Sequence, residues 1–343
     1  MKLSRMLFDA LASSESVGID IGDYNVKVAQ VEKAPFKQKA IVSLGIGKIN
    51  PERTPARIVE AIKEACADAK INTKEARASI SIPTTIIRYL IMPSMSEGDL
   101  AKALEFEIEK HTPYTLSEMS YQYSVLSSLP NKQIMVLLAI AQKKMIQDRI
   151  SFIKDAGLEV SSVSIDPLAI IKAFNATVPL GKNKIVIAVL DIGYHQSKLV
   201  VFSGDVPYFS RDIPVGGHNF NQAIAEKMGI DFAEAERVKY DPRGQEDEIV
   251  KIITPHLHNL IDELSLSFNY CERCLQKTIS QLYLIGGEAK VNKLDSFFEE
   301  NFKLKTSLWN PVLSLRLSQG AGHEKQGGLG HLFAIAIGLG VST

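Results

Sequence analysis

Val17-Gly18-Ile19-Asp20-Ile21-Gly22 stands near the start of the chain, and Val189-Leu190-Asp191-Ile192-Gly193 repeats its pattern 171 positions later. In both copies a short apolar run leads into Asp, one apolar residue and Gly. A buried strand with this ending delivers a carboxylate and a tight turn to one place, because glycine has no Cβ to obstruct the turn. The repetition predicts two similar lobes that face each other across a cleft.

Such turns are suited to binding phosphate. Successive backbone N–H groups in a glycine turn form an anion-binding concavity. A neighbouring Asp holds Mg²⁺ through the waters of the ion, because Mg²⁺ dehydrates reluctantly. A single Asp-x-Gly more often marks only the end of a strand, so the prediction of a polyphosphate site depends on the repetition.

Composition limits the class of protein. At 343 residues the chain exceeds one typical domain, and its 45% hydrophobic and 23% charged residues are ordinary for a globular protein. Lys plus Arg and Asp plus Glu both number 39, and zero net charge argues against bulk electrostatic binding of nucleic acid or anionic lipid. No apolar stretch reaches the roughly 18 residues of a membrane span, and no signal peptide is recognisable. A cytoplasmic location without a direct membrane span is therefore expected.

Periodicity of apolar residues divides the chain into an amphipathic N-terminal segment, a first lobe, a compact α+β insert within it, and a second lobe. These parts are 1–14 for the segment, 15–83 plus 166–183 for lobe one, 84–165 for the insert, and 184–343 for lobe two with a subdomain at roughly 220–280. The predicted class is α/β.

Four further stretches identify a family. They are Met92-Pro93-Ser94-Met95-Ser96, Glu107-Ile108-Glu109-Lys110-His111-Thr112-Pro113-Tyr114, Ala156-Gly157-Leu158 and Ile165-Asp166-Pro167-Leu168-Ala169. With the paired Asp-x-Gly turns, they resemble the actin-like ATPase superfamily and, within it, the PilM family of type IV pilus assembly proteins, relatives of FtsA. The resemblance runs from about Ser16 to Val341. It implies an actin-like ATPase fold with two duplicated ribonuclease-H-like lobes and the α+β insert that FtsA and PilM share.

The resemblance also implies a site for ATP and Mg²⁺ between the lobes. Asp20 and Asp191 would hold Mg²⁺ through water, and Asp166 at the first hinge would orient the attacking water. The residues expected to bind nucleotide are Asp20, Gly22, Asp23, Tyr24, Asn25, Lys27, Asp191, Gly193, Tyr194, His195, Ser197, Gly216, Gly217, Glu263, Gly286 and Gly287.

Some of these residues depart from the family pattern or allow a plainer interpretation. The pair Asp166-Pro167 is also typical of a helix start, with Asp at the N-cap and Pro at the first helical position. Asp23 and Tyr24 stand where the family has small hydroxyl residues, and Glu288 follows Gly286-Gly287 where a small residue is usual. These changes predict a slow ATPase at best, or a nucleotide site without hydrolysis.

The resemblance further implies a position at the cytoplasmic face of the inner membrane, reached through protein partners. A PilN-like inner-membrane protein would insert its N-terminal tail into a groove between lobe one and the insert, beside other inner-membrane components of the pilus machinery. The expected groove residues are Arg88, Leu90, Met92, Leu104 and Ile108. The helix that carries the last two has a plainer interpretation, in which it only covers the insert's sheet. Homo-oligomerisation is left open.

Two alternative functions remain at this point. A small-molecule kinase would share the duplicated phosphate loops but would need an acidic base facing a substrate pocket, and no residue stands out as one. A filament-forming, FtsA-like protein would carry a C-terminal amphipathic membrane helix, which the ending Gly340-Val341-Ser342-Thr343 does not resemble.

Overall fold

The structure is a computed structural model and describes residues 15–32, 41–49, 53–81, 85–179, 185–317 and 328–341. The predicted N-terminal amphipathic segment lies outside these residues. The strands are β1 Glu15–Ile21, β2 Asn25–Glu32, β3 Ile41–Lys48, β4 Glu75–Ile80, β5 Thr85–Pro93, β6 Met119–Leu129, β7 Gln133–Gln142, β8 Glu159–Ile165, β9 Val186–Ile192, β10 Ser197–Ser203, β11 Val206–Ile213, β12 Ile279–Ile285, β13 Thr306–Leu308 and β14 Arg316–Leu317. The α-helices are α1 Pro55–Asp68, α2 Glu97–His111, α3 Lys143–Asp155, α4 Asp166–Thr177, α5 Gly217–Met228, α6 Phe232–Tyr240, α7 Glu246–Leu275, α8 Leu294–Phe302 and α9 Ala334–Val341. No helix in the described part of the chain is both long and apolar enough to cross a membrane.

The sequence repeat marks a repeated sheet. Six strands run in the order β14-β3-β2-β1-β4-β8, and five run in the order β11-β10-β9-β12-β13. In each sheet an antiparallel hairpin is followed by a parallel neighbour, β4 beside β1 and β12 beside β9. The two Asp-x-Gly turns close with the same hydrogen bond, from Gly22 N–H to Asn25 O and from Gly193 N–H to Gln196 O, both 3.1 Å. The predicted duplication is therefore present in the fold.

Helices α4 and α9 lie between the two sheets. Their apolar residues share one core cluster with β2 and β3 of the first sheet and with β9 and β10 of the second. The helices can approach closely because Gly338 of α9 has no side chain. A Cβ at this position would overlap the carbonyl oxygen of Ala169 in α4. Gly18 of β1 meets α9 in the same way, at the carbonyl oxygen of Ala336. These glycine contacts hold the strand ends of both sheets towards one cleft.

The insert is smaller than the sequence predicts. Its three-stranded sheet has the order β5-β7-β6, and α2 packs on one face of it. The insert therefore spans residues 85–142. Helix α3 instead packs on α1, and β8 pairs in parallel with β4 at the edge of the six-stranded sheet. The physical reason is that parallel strands need a crossover, which α3 supplies, and the insert interrupts that crossover between β4 and α3. Of the predicted range 84–165, the last part therefore lies in the first lobe.

Strand β11 has no counterpart in the sequence predictions. Pro207 near its start argues against a central strand, but β11 lies at the edge of its sheet, where Pro is tolerated. Apolar periodicity predicts helices over residues 219–228, 231–239 and 249–275, and α5, α6 and α7 form there and bury one face against the second sheet. Sequence periodicity thus located the helices better than the edge strands.

Substituting Gly338 tests the contact between α4 and α9. We expect Gly338→Ala to lower the free energy of unfolding by about 1–3 kcal/mol, because the new methyl group must displace backbone. Gly98→Ala is the control, since Gly98 lies in the first turn of α2 with no atom near its missing Cβ, and this change should stabilise by up to about 1 kcal/mol. Urea unfolding followed by circular dichroism measures both. Equal stability of the two variants would contradict the proposed role of the contact.

Candidate functional site

A cleft of about 480 Å³ lies between the sheets, where the two Asp-x-Gly turns meet. Its volume is within the range of small-molecule sites. Asp20 and Asp191 both line it. Burial raises the pKa of Asp191, and the negative charge of Asp20 adds to that rise against the opposing effect of Lys198. The carboxylates from the two lobes are therefore close enough to interact.

Most of the predicted nucleotide residues line this cleft. They are Asp20, Gly22, Asp23, Tyr24, Asn25, Lys27, Asp191, Gly193, Tyr194, Gly286 and Gly287; Asp166, predicted to orient the attacking water, lines the cleft as well. Gly286 has a φ of 90°, which favours glycine, and a Cβ there would overlap the carboxylate of Asp191. The turn after β12 thus packs directly on the second Asp-x-Gly turn.

Five predicted residues do not line the cleft. His195, Ser197, Gly216, Gly217 and Glu263 lie behind or beside it. The buried Ser197 hydroxyl donates to the carbonyl oxygen of Val215 at 2.6 Å, which ties the second loop to the segment before α5. A Cβ on Gly216 would lie 2.7 Å from the carbonyl oxygen of Gly193, so Gly216 supports that loop from behind.

The other members of this group face elsewhere. Glu263 on α7 accepts a hydrogen bond from Arg211 at 2.6 Å and is half-exposed. His195 packs on Tyr194, with ring centroids 4.7 Å apart. Gly217 faces the Glu288 carboxylate. The structure therefore gives these residues positions in packing and ion pairs rather than on the cleft wall.

Two lysines pair with the carboxylates of the cleft. Lys27 Nζ lies 3.0 Å from Asp20 Oδ2. Lys198 Nζ lies 2.5 Å from Asp166 Oδ2 and 3.8 Å from Asp191 Oδ2. Burial lowers the pKa of Lys198, but the carboxylates of Asp166 and Asp191 outweigh it and raise the pKa overall, so the ammonium stays charged.

The position of Asp166 argues against the N-cap interpretation, whereas its role in orienting water stays a prediction. The residue is the first of α4, and its carboxylate accepts from Lys198. Residue 165 occupies the cap position, and the helix has no side-chain cap hydrogen bond. The sequence analysis missed Lys198, although a signal existed: a Lys follows the Asp by seven residues in both hairpins, and each pair sits directly across the turn.

A buried ion pair lies on the wall formed by α6 and the turn after β12. Lys239 Nζ lies 2.7 Å from Glu288 Oε2, and both side chains are almost fully buried. The Tyr240 hydroxyl donates to Glu288 Oε1 at 3.1 Å. The Glu288 carboxylate, which stands where the family usually has a small residue, is thus held by its neighbours. Sequence analysis assigned no role to Glu236, Lys239 or Tyr240.

An aromatic contact joins the two Asp-x-Gly turns across the cleft. The rings of Tyr24 and Tyr194 have centroids 5.2 Å apart. Burial, followed by the charge of Glu236 and a hydrogen bond to it, raises the pKa of Tyr24 to about 12. Tyr24 therefore stays neutral at physiological pH, and its ring narrows the gap between the lobes.

Comparison with known proteins decides the family. The family model for type IV pilus assembly protein PilM matches residues 18–343. The chain belongs to the PilM family. The structure of a PilM-PilN type IV pilus biogenesis complex is similar with a TM-score of 0.83 and 25% identity, covering 95% of this chain and 98% of that one. The predicted membership and the actin-like ATPase fold are thereby confirmed.

More distant matches agree with this fold. Cell division protein FtsA of Bacillus subtilis (strain 168) is 28% identical over 121 residues, which are 34% of this chain and 27% of FtsA. The chain therefore matches little more than a quarter of that relative's length. MreB 5 of Spiroplasma citri, in a structure bound to AMPPNP, has a TM-score of 0.50 and 14% identity, covering 87% of this chain and 92% of that one.

The groove residues expected in this PilM family member lie in or on the insert. Leu104 and Ile108 are fully buried under the insert's sheet, with Leu90 and Met92 packed against the same cluster. Arg88 is exposed and donates to the carbonyl oxygen of Ile87. The plainer interpretation of α2, that it covers the sheet, therefore accounts for these positions.

An apolar groove of about 340 Å³ lies elsewhere, between β6 of the insert and β8 of the first lobe. Both strands are at the edges of their sheets. The lining residues include Tyr121, Tyr123, Ala139, Ile146, Val160, Ser162, Val163, Ile165 and Leu168. The groove thus lies between lobe one and the insert, and the five residues expected to form the partner groove are not among those that line it.

The cleft of this PilM family member combines glycine turns with paired carboxylates and lysines. Two glycine turns offer backbone N–H groups, and Lys27 supplies positive charge beside them. The carboxylates expected to hold Mg²⁺ are already paired with lysines. Within the described ranges, no group of three or more His, Cys, Asp or Glu side chains is arranged to hold a metal ion.

The His331 side chain, which lines the cleft, makes stability depend on pH. Burial lowers its pKa from 6.5 to about 4, with a smaller contribution from Lys290. Between these values the unfolded chain takes up a proton that the folded chain does not, so stability falls as pH falls from 6.5 towards 4. At pH 5 the loss attributable to His331 is about 2 kcal/mol.

We therefore expect His331→Gln to lose less stability than the unaltered protein when the pH is lowered from 7.5 to 5. Thermal unfolding at several pH values measures this difference. His258→Gln, which alters an exposed histidine on α7, is the control and should follow the unaltered protein. Parallel curves for all three proteins would rule out this role of His331.

Proposed function

We propose that this PilM family protein is a nucleotide-binding scaffold of the type IV pilus inner-membrane assembly complex. It binds ATP in the cleft between its sheets and the N-terminal tail of a PilN-like membrane protein in the groove between β6 and β8. The observation that carries the proposal is this groove, bordered by the terminal strands of two sheets, in a chain that a PilM-PilN complex structure matches over 95% of its length.

The groove has the features of a site for an extended peptide. An exposed sheet edge offers backbone N–H and C=O groups to an added strand, and alternating pockets accept its side chains. Here two edges face the same space, and the lining is mainly apolar with serines from β6 and β8. A short tail from a membrane protein can enter such a groove without a change in either sheet.

The cleft and the groove share one segment. Ile165 and Leu168 line the groove, while Asp166 between them lines the cleft. A ligand that moves the start of α4 in one site therefore alters the other. This continuity supports a switch in which nucleotide occupancy changes the affinity for the tail.

Several finer features follow from the proposal. The protein is held at the inner membrane by its partner, with further pilus components beside it. Hydrolysis is slow at best, because Asp166 is engaged by Lys198. The kinase alternative would show substrate-dependent ATP consumption, and the filament alternative would show ATP-dependent sedimentation. We expect neither.

Lys27→Ala tests nucleotide binding. We expect at least a tenfold increase in the Kd for ATP, because Lys27 is the cation beside the Gly22 turn. Lys63→Ala, an exposed lysine on α1, removes the same charge outside the cleft and should leave the Kd unchanged. Isothermal titration calorimetry measures both, and an unaltered Kd for Lys27→Ala would remove Lys27 from the site.

Ser162→Arg tests the groove. Ser162 lines it on β8 and is half-buried, so a guanidinium there would occupy the space of the tail. We expect at least tenfold weaker binding of a labelled synthetic peptide carrying the N-terminal tail of the PilN-like partner, measured by fluorescence anisotropy.

Ser128→Arg on β6 is the matched control. It makes the same change on the insert but outside the groove, and it should bind the peptide like the unaltered protein. If both arginine variants bind equally well, the tail does not occupy this groove.

A further inference from the structure

Each hairpin at the cleft places a lysine directly opposite its aspartate. Asp20 pairs with Lys27 across the first turn, and Asp191 pairs in register with Lys198 across the second. The second lysine reaches further than the first. Its ammonium lies 2.5 Å from the carboxylate of Asp166 on α4 and 3.8 Å from that of Asp191. One buried cation thus serves two carboxylates from two elements.

The base of the cleft brings charges of both signs together. The carboxylates are Asp20, Asp23, Asp166, Asp191 and Asp212, and the cations are Lys27, Arg53, Arg149 and Lys198. Burial raises the pKa of Asp212 to about 7, so this carboxyl is partly protonated at neutral pH. Arg149 of α3 donates to the carbonyl oxygen of Ile21 at 3.0 Å, and its charge interacts with those of Asp166 and Asp20.

A divalent ion placed beside Asp191 would lie next to a buried ammonium. Lys198 is only 8% exposed, so water screens this repulsion poorly. The ammonium also makes Asp166 Oδ2 a weaker ligand for the ion and a weaker acceptor for a water molecule, because it draws on the charge of that oxygen. The position expected for Mg²⁺ beside Asp191 therefore already holds a cation of the chain.

We propose that Lys198 is a built-in cation that takes the place of Mg²⁺ in this cleft and, as a positioning residue, withholds Asp166 from activating water. The inference rests on the proposed nucleotide function and deepens it. ATP then binds through its phosphates to Lys27, Lys198 and the backbone N–H groups of the two turns, without a divalent ion. The bound nucleotide is hydrolysed slowly or not at all.

The experiment compares ATP binding with and without Mg²⁺. Isothermal titration calorimetry of the full chain in EDTA and in excess Mg²⁺ should give Kd values within about twofold of each other. Lys198→Met keeps the methylene stem and removes the charge. For this variant we expect ATP binding in Mg²⁺ to be at least tenfold tighter than in EDTA, because Asp166 and Asp191 are then available to the ion.

Two further variants separate charge at this position from general effects. Lys290→Met removes another lysine from the cleft wall and should leave the ratio of the two Kd values as in the unaltered protein.

Lys198→Met releases Asp166, so phosphate release from ATP in Mg²⁺ should rise at least fivefold. The double variant Lys198→Met with Asp166→Asn should lose that gain in phosphate release. Because it leaves no unpaired carboxylate at residue 166, its ATP binding in EDTA and in Mg²⁺ can be measured even if the single variant does not fold.

The outcomes are distinguishable. Binding of ATP by the unaltered protein only in Mg²⁺ overturns the inference and leaves the proposed nucleotide function standing. Absence of ATP binding in both buffers overturns the nucleotide function and the inference with it. An unchanged phosphate-release rate in a folded Lys198→Met variant contradicts the positioning role of Lys198.

Discussion

The close packing of α4 and α9 between the two sheets is the constraint on which the rest of the molecule depends. In each sheet the turn of the first hairpin carries the Asp-x-Gly motif. The two turns form one site only if the sheets are held face to face. The core shared by both helices and both sheets provides this arrangement. Gly338 and Gly18 make it possible, because any side chain there would meet backbone.

Local patterns in the sequence predicted the parts of the fold that depend on local physics. The Asp-x-Gly turns, the long helix α7 and the hairpins follow from apolar periodicity and glycine geometry. Membership of a sheet is a different matter. The sequence of β8 does not say whether it pairs with the insert or with β4, because the deciding partner lies about 80 residues earlier in the chain. The same limit explains why edge strand β11 was not predicted.

The same distinction between local and tertiary determinants applies to the residues of the site. Backbone turns and their carboxylates were predicted because the motif itself contains them. Lys198 was not, since its role depends on Asp166 arriving from another element. Glu288 shows the reverse case: the motif marked it as a departure from the usual small residue, yet its carboxylate is held by Lys239 and Tyr240. Motifs therefore indicate which groups meet at a site, whereas their charge state and freedom to bind follow from tertiary partners.

The position of Asp166 connects these observations into one mechanism of control. Its neighbours Ile165 and Leu168 line the groove, and its carboxylate is fixed by Lys198 at the cleft. In the proposed function, phosphates in the cleft bind the same ammonium that fixes Asp166, so the nucleotide acts on the start of α4 through Lys198. A peptide in the groove would act on the same turn from the other side. Two ligands that act on one helix start would influence each other without hydrolysis, as reciprocal coupling requires.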